Sequence, residues 1–204
     1  LKTPQADPVH KATIIPRGRA LGMVMQLPEG DRYSMNFTQM TSRLAIMMAG
    51  RVAEEIIMGK DNITSGASSD IQAATRLAKS MVTRWGFSDK LGFVDYKQGE
   101  DEYGALGRDT SEATQQIIDD EVKRLVNDGY EEAKRILLEN LDGLHRLAKT
   151  LLDLETLTGD EIAKILNGEE IVRDEETGVA IELSSNSAVP ETEAAPTAVP
   201  VIAE

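Results

Sequence analysis

The sequence predicts a mainly α-helical fold with a small N-terminal β element and a disordered C-terminal tail. Apolar residues recur at spacings of three and four through most of residues 36–166, a pattern typical of amphipathic helices. Two short apolar runs bounded by proline and glycine lie within residues 1–30 and predict strands. Beyond residue 168 the periodicity ends, and a segment so poor in apolar clusters cannot offset the entropy cost of ordering it.

The N-terminal β element is expected to be a hairpin. Its strands are Lys11–Ile15 and Gly22–Leu27, and Pro16 and Pro28 bound them. The turn-rich link Arg17–Leu21 would let the two strands pair. Because an isolated hairpin is only marginally stable in water, we expect this one to pack on helices.

Two helices are predicted next. The first begins at Asn36 and ends at Gly59, a residue type suited to a helix C-terminus. The second begins with Ser68 or Ser69 as its N-cap and stops at Gly86. Apolar positions at helical spacing form their buried stripes: Phe37, Met40, Leu44, Met47, Met48, Val52 and Ile56 in the first, and Ile71, Ala74, Ala78, Met81, Val82 and Trp85 in the second.

A loop is expected over residues 87–109, which are rich in glycine, aspartate and tyrosine and leave room for a short strand at Leu91–Tyr96. A long helix then begins at Thr110 or Ser111. Its buried stripe is formed by Ile117, Val122, Leu125, Val126, Ala133, Ile136 and Leu137.

The helical region ends with two shorter helices. Asn140–Gly143 breaks the long helix, and the next one carries leucines at positions 144, 147, 151 and 154. Thr158 and Glu161 form a capping box, in which each side chain satisfies a free backbone N–H at a helix start. The last helix therefore begins there and runs to Leu166.

Composition indicates one domain over residues 1–167 and a tail over 168–204. The net charge of the chain is −13, and the tail holds nine acidic residues against Arg173 alone. An acidic chain with 4% aromatic residues and no basic stripe is unsuited to nucleic acid, because phosphate contacts need clustered Lys and Arg. Zero cysteines exclude disulfides and thiolate metal ligands.

No apolar run approaches the roughly 18 residues that a membrane-spanning helix needs. Any membrane attachment is therefore expected to lie outside this chain, which by itself should be soluble.

Asp70 is the first candidate for chemistry. It is an isolated carboxylate at the start of the second helix, directly after the Gly/Ser/Thr-rich loop Thr64–Ser69. Such a residue can ligate a metal, or it can simply interact favourably with the helix dipole. His10 and His145 are the only histidines and lie in different elements, so neither forms the His pair of a metal site. The residues alone leave both roles of Asp70 open.

Several motifs recur in the order and spacing found in one protein family. They are Asp7–Lys11, Ile14–Gly18, Gly50-Arg51, Ala53-Glu54-Glu55, Gly66-Ala67-Ser68 and Met81–Ser88. Over about residues 1–166, the chain resembles the peptidase domain of the FtsH family, the membrane-anchored AAA ATPase proteases. The resemblance implies a helical metallopeptidase domain.

The resemblance also implies roles for individual residues. Asp70 would be the third ligand of a catalytic zinc, and Glu54 is a candidate to orient a ligating histidine, the alternative being a solvated helix face. No His-Glu-x-x-His motif occurs in the chain. We therefore expect that the chain begins after the zinc helix, contains no catalytic residue of its own and is inactive alone.

For the intact parent, the resemblance implies a homohexamer that unfolds and degrades membrane and cytosolic proteins in protein quality control. ATP and magnesium would bind an ATPase domain that this chain lacks, and a membrane anchor would place the parent at the cytoplasmic face of the bacterial inner membrane.

In a protease, the second predicted strand would have a role in binding substrate. Residues Gly22, Met23, Val24, Met25 and Gln26 could bind an unfolded substrate by accepting it as an added strand; alternatively, they only cover the core. The competing function for the whole chain is a non-catalytic helical assembly or interaction module, which the amphipathic helices from Thr110 onward would also suit.

Overall fold

The computed structural model describes residues 1–18, 20–28, 30, 34–96, 110–173 and 180–181. The chain divides into two units, residues 1–169 and 170–204. The first unit is mainly helical with a small sheet, which confirms the predicted fold class. Its elements are β1 (Val9–Thr13), β2 (Met23–Gln26), α1 (Phe37–Met58), a 3-10 turn (Lys60–Asn62), α2 (Ser68–Thr83), α3 (Glu112–Glu139), α4 (Leu141–Leu154), β3 (Thr156–Thr158) and α5 (Gly159–Leu166).

In the second unit, β4 (Val172–Arg173) pairs antiparallel with β5 (Ala180–Ile181), where the sequence predicted no regular element. A two-residue ladder is too short to leave a periodic pattern. Most of the segment predicted to be a disordered tail, residues 174–179 and 182–204, lies outside the described residues. Within the described parts of the chain, no helix is long and apolar enough to cross a bilayer.

The hydrophobic core lies between α1, α2 and α3. Leu44 of α1, Met81 of α2 and Leu125 of α3 are almost completely buried, and burial of each such side chain contributes about 1.5–3 kcal/mol. Helices α1 and α3 approach closely at Gly129, where an added Cβ would lie 2.9 Å from the Cβ of Leu44. Most residues of the predicted stripes of the first two helices therefore face the core, but Phe37, Ile71 and Trp85 are exposed.

The sheet has three antiparallel strands in the order β2-β1-β3. The predicted hairpin is confirmed, and the main chains of Arg17 and Ala20 close its link with hydrogen bonds of 2.9 and 3.1 Å. Strand β3 was missed in the sequence, since a three-residue strand leaves no pattern of its own. It leads directly into α5, where Gly159 lies so close to the Val9 carbonyl that a side chain there would collide with it.

Three helix starts lie where the sequence predicted them: Asn36 from the onset of helical spacing, Ser111 as one of two residues offered, and Thr158 from its capping box. Asn36 and Gln39 form a capping box on α1, Thr158 and Glu161 form one on α5, and the Ser111 hydroxyl caps α3. The motif at Thr158 could be recognised because its capping side chains lie within three residues of the groups they bind.

Two local predictions were wrong. The N-cap of α2 is Ala67 and not Ser68 or Ser69, because the Ala67 carbonyl accepts the first helical hydrogen bond, from the Ile71 N–H. Residues 91–96 form no strand: the Tyr96 N–H donates instead to the Thr83 carbonyl, at 2.8 Å, so the segment folds back on the end of α2.

A buried carboxylate joins the segment after α2 to α3. Glu121 is only 2% exposed, and it accepts hydrogen bonds from the Ser88 hydroxyl (2.9 Å) and from Arg124 (3.0 Å), while Lys90 pairs with it at 2.8 Å. The hydrogen bonds from Arg124, Lys90 and Ser88 outweigh the desolvation cost and lower the pKa of Glu121 to about 2. This charged side chain is thus part of the core-facing surface of α3.

Candidate functional site

Asp70 lies where the sequence placed it, at the third residue of α2. It is the acidic residue of the first turn, and its side chain is exposed. The free N–H groups and the dipole of the helix start favour a negative charge there. The carboxylate is therefore accessible to a ligand from solvent.

The loop before Asp70 is fastened to α1 through the backbone of Thr64. The Thr64 N–H donates to Oε1 of Glu54 at 3.0 Å, and the Thr64 carbonyl accepts from a guanidinium nitrogen of Arg51 at 3.1 Å. Arg51 and Glu54, one turn apart on α1, are themselves 3.9 Å apart. We call this arrangement of Arg51, Glu54 and Thr64 the Thr64 clamp.

The predicted orientation of a ligating histidine by Glu54 stays a prediction. Its carboxylate contacts Thr64 and Arg51, so the structure gives Glu54 partners that the sequence did not suggest. A main-chain partner has no signature in the sequence, which is why this contact was missed.

The neighbouring Glu55 has a different environment. Its carboxylate accepts a hydrogen bond of 2.7 Å from the Tyr130 hydroxyl of α3, and Lys60 lies 3.4 Å away. The bond to the carboxylate raises the pKa of Tyr130 to about 12, and the same bond lowers the pKa of Glu55. Glu55 therefore joins α1 to α3, whereas Glu54 joins α1 to the loop before Asp70.

The described residues do not assemble a complete metal site. No group of three His, Asp or Glu residues within the described ranges is close enough to hold an ion. His10 lies on β1 and His145 on α4, and both are exposed. A carboxylate oxygen suits zinc as one donor, but a catalytic zinc needs three protein ligands. A single carboxylate such as Asp70 can supply at most one of these three ligands.

The candidate substrate strand forms one edge of the sheet. Strand β2 pairs with β1 on one side, and none of the described residues pairs with its other side. Val24 is 62% exposed, and Met23 is also exposed. At Gly22, a Cβ would lie 2.9 Å from the Thr13 carbonyl oxygen, so this approach of the two strands requires glycine.

Two cavities lie on different parts of the helical layer. The larger, of about 890 Å³, is lined by side chains near the start of α1 and around Trp85, and extends to Gln26 at the end of β2. A smaller one, of about 400 Å³, is lined by Ile71, which follows Asp70, and by Met48 and Tyr130. Cavity size therefore does not locate Asp70: of these two cavities, the smaller is the one that adjoins Asp70 in sequence.

A family model and several curated relatives match this chain over most of its length. The family model described as peptidase family M41 matches residues 1–165. The chain is 65% identical over 181 residues to a protein of Caulobacter vibrioides and 53% identical over 185 residues to one of Rickettsia bellii, with 86% and 89% of this chain covered. A protein of Haemophilus influenzae is 46% identical over 174 residues, which cover 82% of this chain.

All three relatives bear the name ATP-dependent zinc metalloprotease FtsH. The chain spans only 29% of the length of the first two relatives and 27% of the third. The matched family model covers all the helices and strands of the first unit up to α5, together with Asp70 and the Thr64 clamp. The chain belongs to peptidase family M41.

Proposed function

We propose that residues 1–167 form part of the peptidase domain of an ATP-dependent zinc metalloprotease, and that residues 168–204 are a tail outside that domain. The observation that carries the proposal is the family match over residues 1–165, together with relatives up to 65% identical that bear this name. The alternative, a non-catalytic helical module, gains nothing from the comparisons.

In this proposal, Asp70 supplies one zinc ligand, and the remaining ligands come from a part of the longer protein that this chain does not include. When bound, zinc would lower the pKa of a water molecule to about 7 and polarise the scissile carbonyl. The exposed position of Asp70 at the first turn of α2 supports the role, because the carboxylate is accessible to an ion.

Strand β2 is proposed as the substrate-binding edge. Its unpaired side, within the described residues, offers main-chain groups to an extended peptide, and such bonding makes little use of the peptide's side chains. Unfolded protein is the substrate class that suits this mode, because the main chain of an unfolded segment is free to pair in an extended conformation.

For the longer protein we also propose an assembly state, a nucleotide-binding domain, a membrane anchor and a cellular role. It would assemble as a homohexamer, bind ATP and magnesium on a separate ATPase domain, and carry an anchor that holds it at the cytoplasmic face of the bacterial inner membrane. Its role would be the degradation of membrane and cytosolic proteins in quality control.

The test is Asp70→Asn in the longer protein, with Asp61→Asn as the matched control. Asp61 is also an exposed aspartate in a first helical turn. We expect Asp70→Asn to reduce casein degradation by more than about 100-fold, beyond the usual effect of groups that only support a ligand. ATP hydrolysis and the melting temperature should change little, because a helix-dipole interaction contributes about 0.3–1 kcal/mol. Casein turnover at the wild-type rate would remove Asp70 from the site.

A further inference from the structure

We propose that Arg51 and Glu54 are positioning residues that fix the place of Asp70 through the Thr64 clamp. The inference rests on the proposed function, in which Asp70 ligates zinc. It assigns to Glu54 a partner in the loop main chain, where the sequence had suggested a histidine. Neither Arg51 nor Glu54 needs to touch the metal for this role.

The clamp holds both backbone groups of one residue. Glu54 accepts from the Thr64 N–H at 3.0 Å, and Arg51 donates to the Thr64 carbonyl at 3.1 Å. Both bonds are charge-assisted and therefore about twice as strong as neutral ones. The side chains of Arg51 and Glu54 are 26% and 17% exposed, whereas Thr64 itself is exposed. The two bonds together restrain the backbone of Thr64 relative to α1.

Short turns carry that position from Thr64 to Asp70. The Gly66 N–H donates to the Thr64 hydroxyl at 3.1 Å, and the Ser68 N–H donates to the Ser65 carbonyl at 3.1 Å. Helix α2 begins at Ser68, so only the turn residues 65–67 separate the clamp from the helix that bears the carboxylate. A shift of Thr64 would therefore displace the first turn of α2.

The first turn of α2 has few other restraints. Its N-cap Ala67 makes no side-chain capping bond, in contrast to the capping side chains of α1, α3 and α5. Ser68 through Gln72 are exposed, and Ala74 is the first buried residue of the helix. The core anchors α2 from Ala74 onward, and the clamp anchors what precedes it.

This division separates the two effects of breaking the clamp. Ala78 and Met81 are completely buried, so the body of α2 should stay folded when Glu54 is removed. The turn that bears Asp70 should become less ordered. Zinc affinity should then fall more than stability does.

The experiment measures zinc affinity in the longer protein by competition with a chelator, together with the melting temperature and the absorption spectrum of the cobalt-substituted enzyme. The variants are Glu54→Ala, Glu54→Gln and Asp70→Asn. Glu55→Ala is the matched control, because Glu55 is the next residue of α1 and its contacts are with Tyr130 and Lys60.

We expect Glu54→Ala to weaken zinc binding by about 10-fold or more and to alter the cobalt spectrum. Glu54→Gln keeps an acceptor for the Thr64 N–H and should bind zinc within about threefold of the wild type, since it loses only the charge assistance. Glu55→Ala should lower the melting temperature without changing zinc affinity.

A second readout uses the 204-residue chain and needs no metal. Amide hydrogen exchange in Glu54→Ala should accelerate over residues 64–71, while the amides of Ala78 and Met81 keep their protection.

The outcomes separate the two proposals. If Asp70→Asn retains wild-type zinc affinity, the proposed metal role of Asp70 fails, and this inference fails with it. If Asp70→Asn loses zinc while Glu54→Ala binds it as tightly as the wild type, only the positioning role is refuted. Equal losses of affinity in Glu54→Ala and Glu55→Ala would also refute it, since general destabilisation would then explain both.

Discussion

Replacing Glu121 with glutamine is expected to lower the free energy of unfolding by about 3 kcal/mol at neutral pH. The pKa of Glu121 is about 2, against 4.5 for an ordinary glutamate, because Arg124, Lys90 and Ser88 all donate to its carboxylate. One pKa unit corresponds to about 1.4 kcal/mol of differential interaction between the charged and neutral forms. Glutamine resembles the neutral form and therefore loses that difference.

The pH dependence of this loss has a defined sign. The pKa of Glu121 is lower in the folded chain than in the unfolded one, so its contribution is complete above about pH 4.5. The contribution disappears as the pH falls through about 2, where the carboxylate takes up a proton. The stability difference between the wild type and Glu121→Gln should therefore shrink toward zero under acid conditions.

Urea unfolding followed by far-ultraviolet circular dichroism measures this difference; guanidinium chloride is avoided because its ions would screen the charges. Glu132→Gln on the same helix is the control, since Glu132 pairs with Arg135 at an exposed site and should change stability by less than about 1 kcal/mol. A Glu121→Gln chain as stable as the wild type at neutral pH, or a difference that persists undiminished in acid, would refute the reasoning.

Two further predictions concern the contacts of α3 with α1. Of the four tyrosines, Tyr130 should ionise only at about pH 12 in an ultraviolet titration. Glu55→Gln should return the pKa of Tyr130 toward its ordinary value of 10. The hydrogen bond of Tyr130 stabilises the fold fully below pH 10, and this contribution is lost as the pH rises through about 12. A titration in which all tyrosines ionise together would contradict this. Gly129→Ala should destabilise the chain by about 1–3 kcal/mol, because the new methyl group meets Leu44 at 2.9 Å. Gly50→Ala is the control: nothing lies within 4 Å of its added Cβ, so it should stabilise α1 by up to about 1 kcal/mol. Equal unfolding midpoints for Gly129→Ala and Gly50→Ala would show that the close approach of α1 and α3 at Gly129 is unimportant.

The parts of the fold that were predictable are those encoded locally. The helix start at Thr158 follows from side chains that bind backbone groups three residues away, and the start at Asn36 follows from the onset of helical spacing. Helical periodicity identified the core faces of α1 and α2 for the same reason, since neighbours on a helix face are three or four residues apart. Asp70 at the start of α2 could be placed in this way as well.

The parts that escaped prediction depend on contacts between distant segments. Tyr130 and Glu55 are 75 residues apart, and Ser88 and Glu121 are 33 apart, so no local pattern pairs them. Strand β3 exists because it pairs with β1, far away in the sequence. The Thr64 clamp binds backbone groups, which every residue carries, so no residue type at position 64 could have predicted these contacts.

The central proposal is that Asp70 is a zinc ligand whose partner ligands are not supplied by the residues that the structure describes. Metal analysis of the purified 204-residue chain, beside the longer protein and its Asp70→Asn variant, tests it most directly. We expect no retained zinc in the chain, about one zinc per subunit in the longer protein and a strongly reduced content in the variant, as three-ligand zinc sites require. One tightly held zinc per isolated chain, or an undiminished zinc content in the variant, would contradict the account.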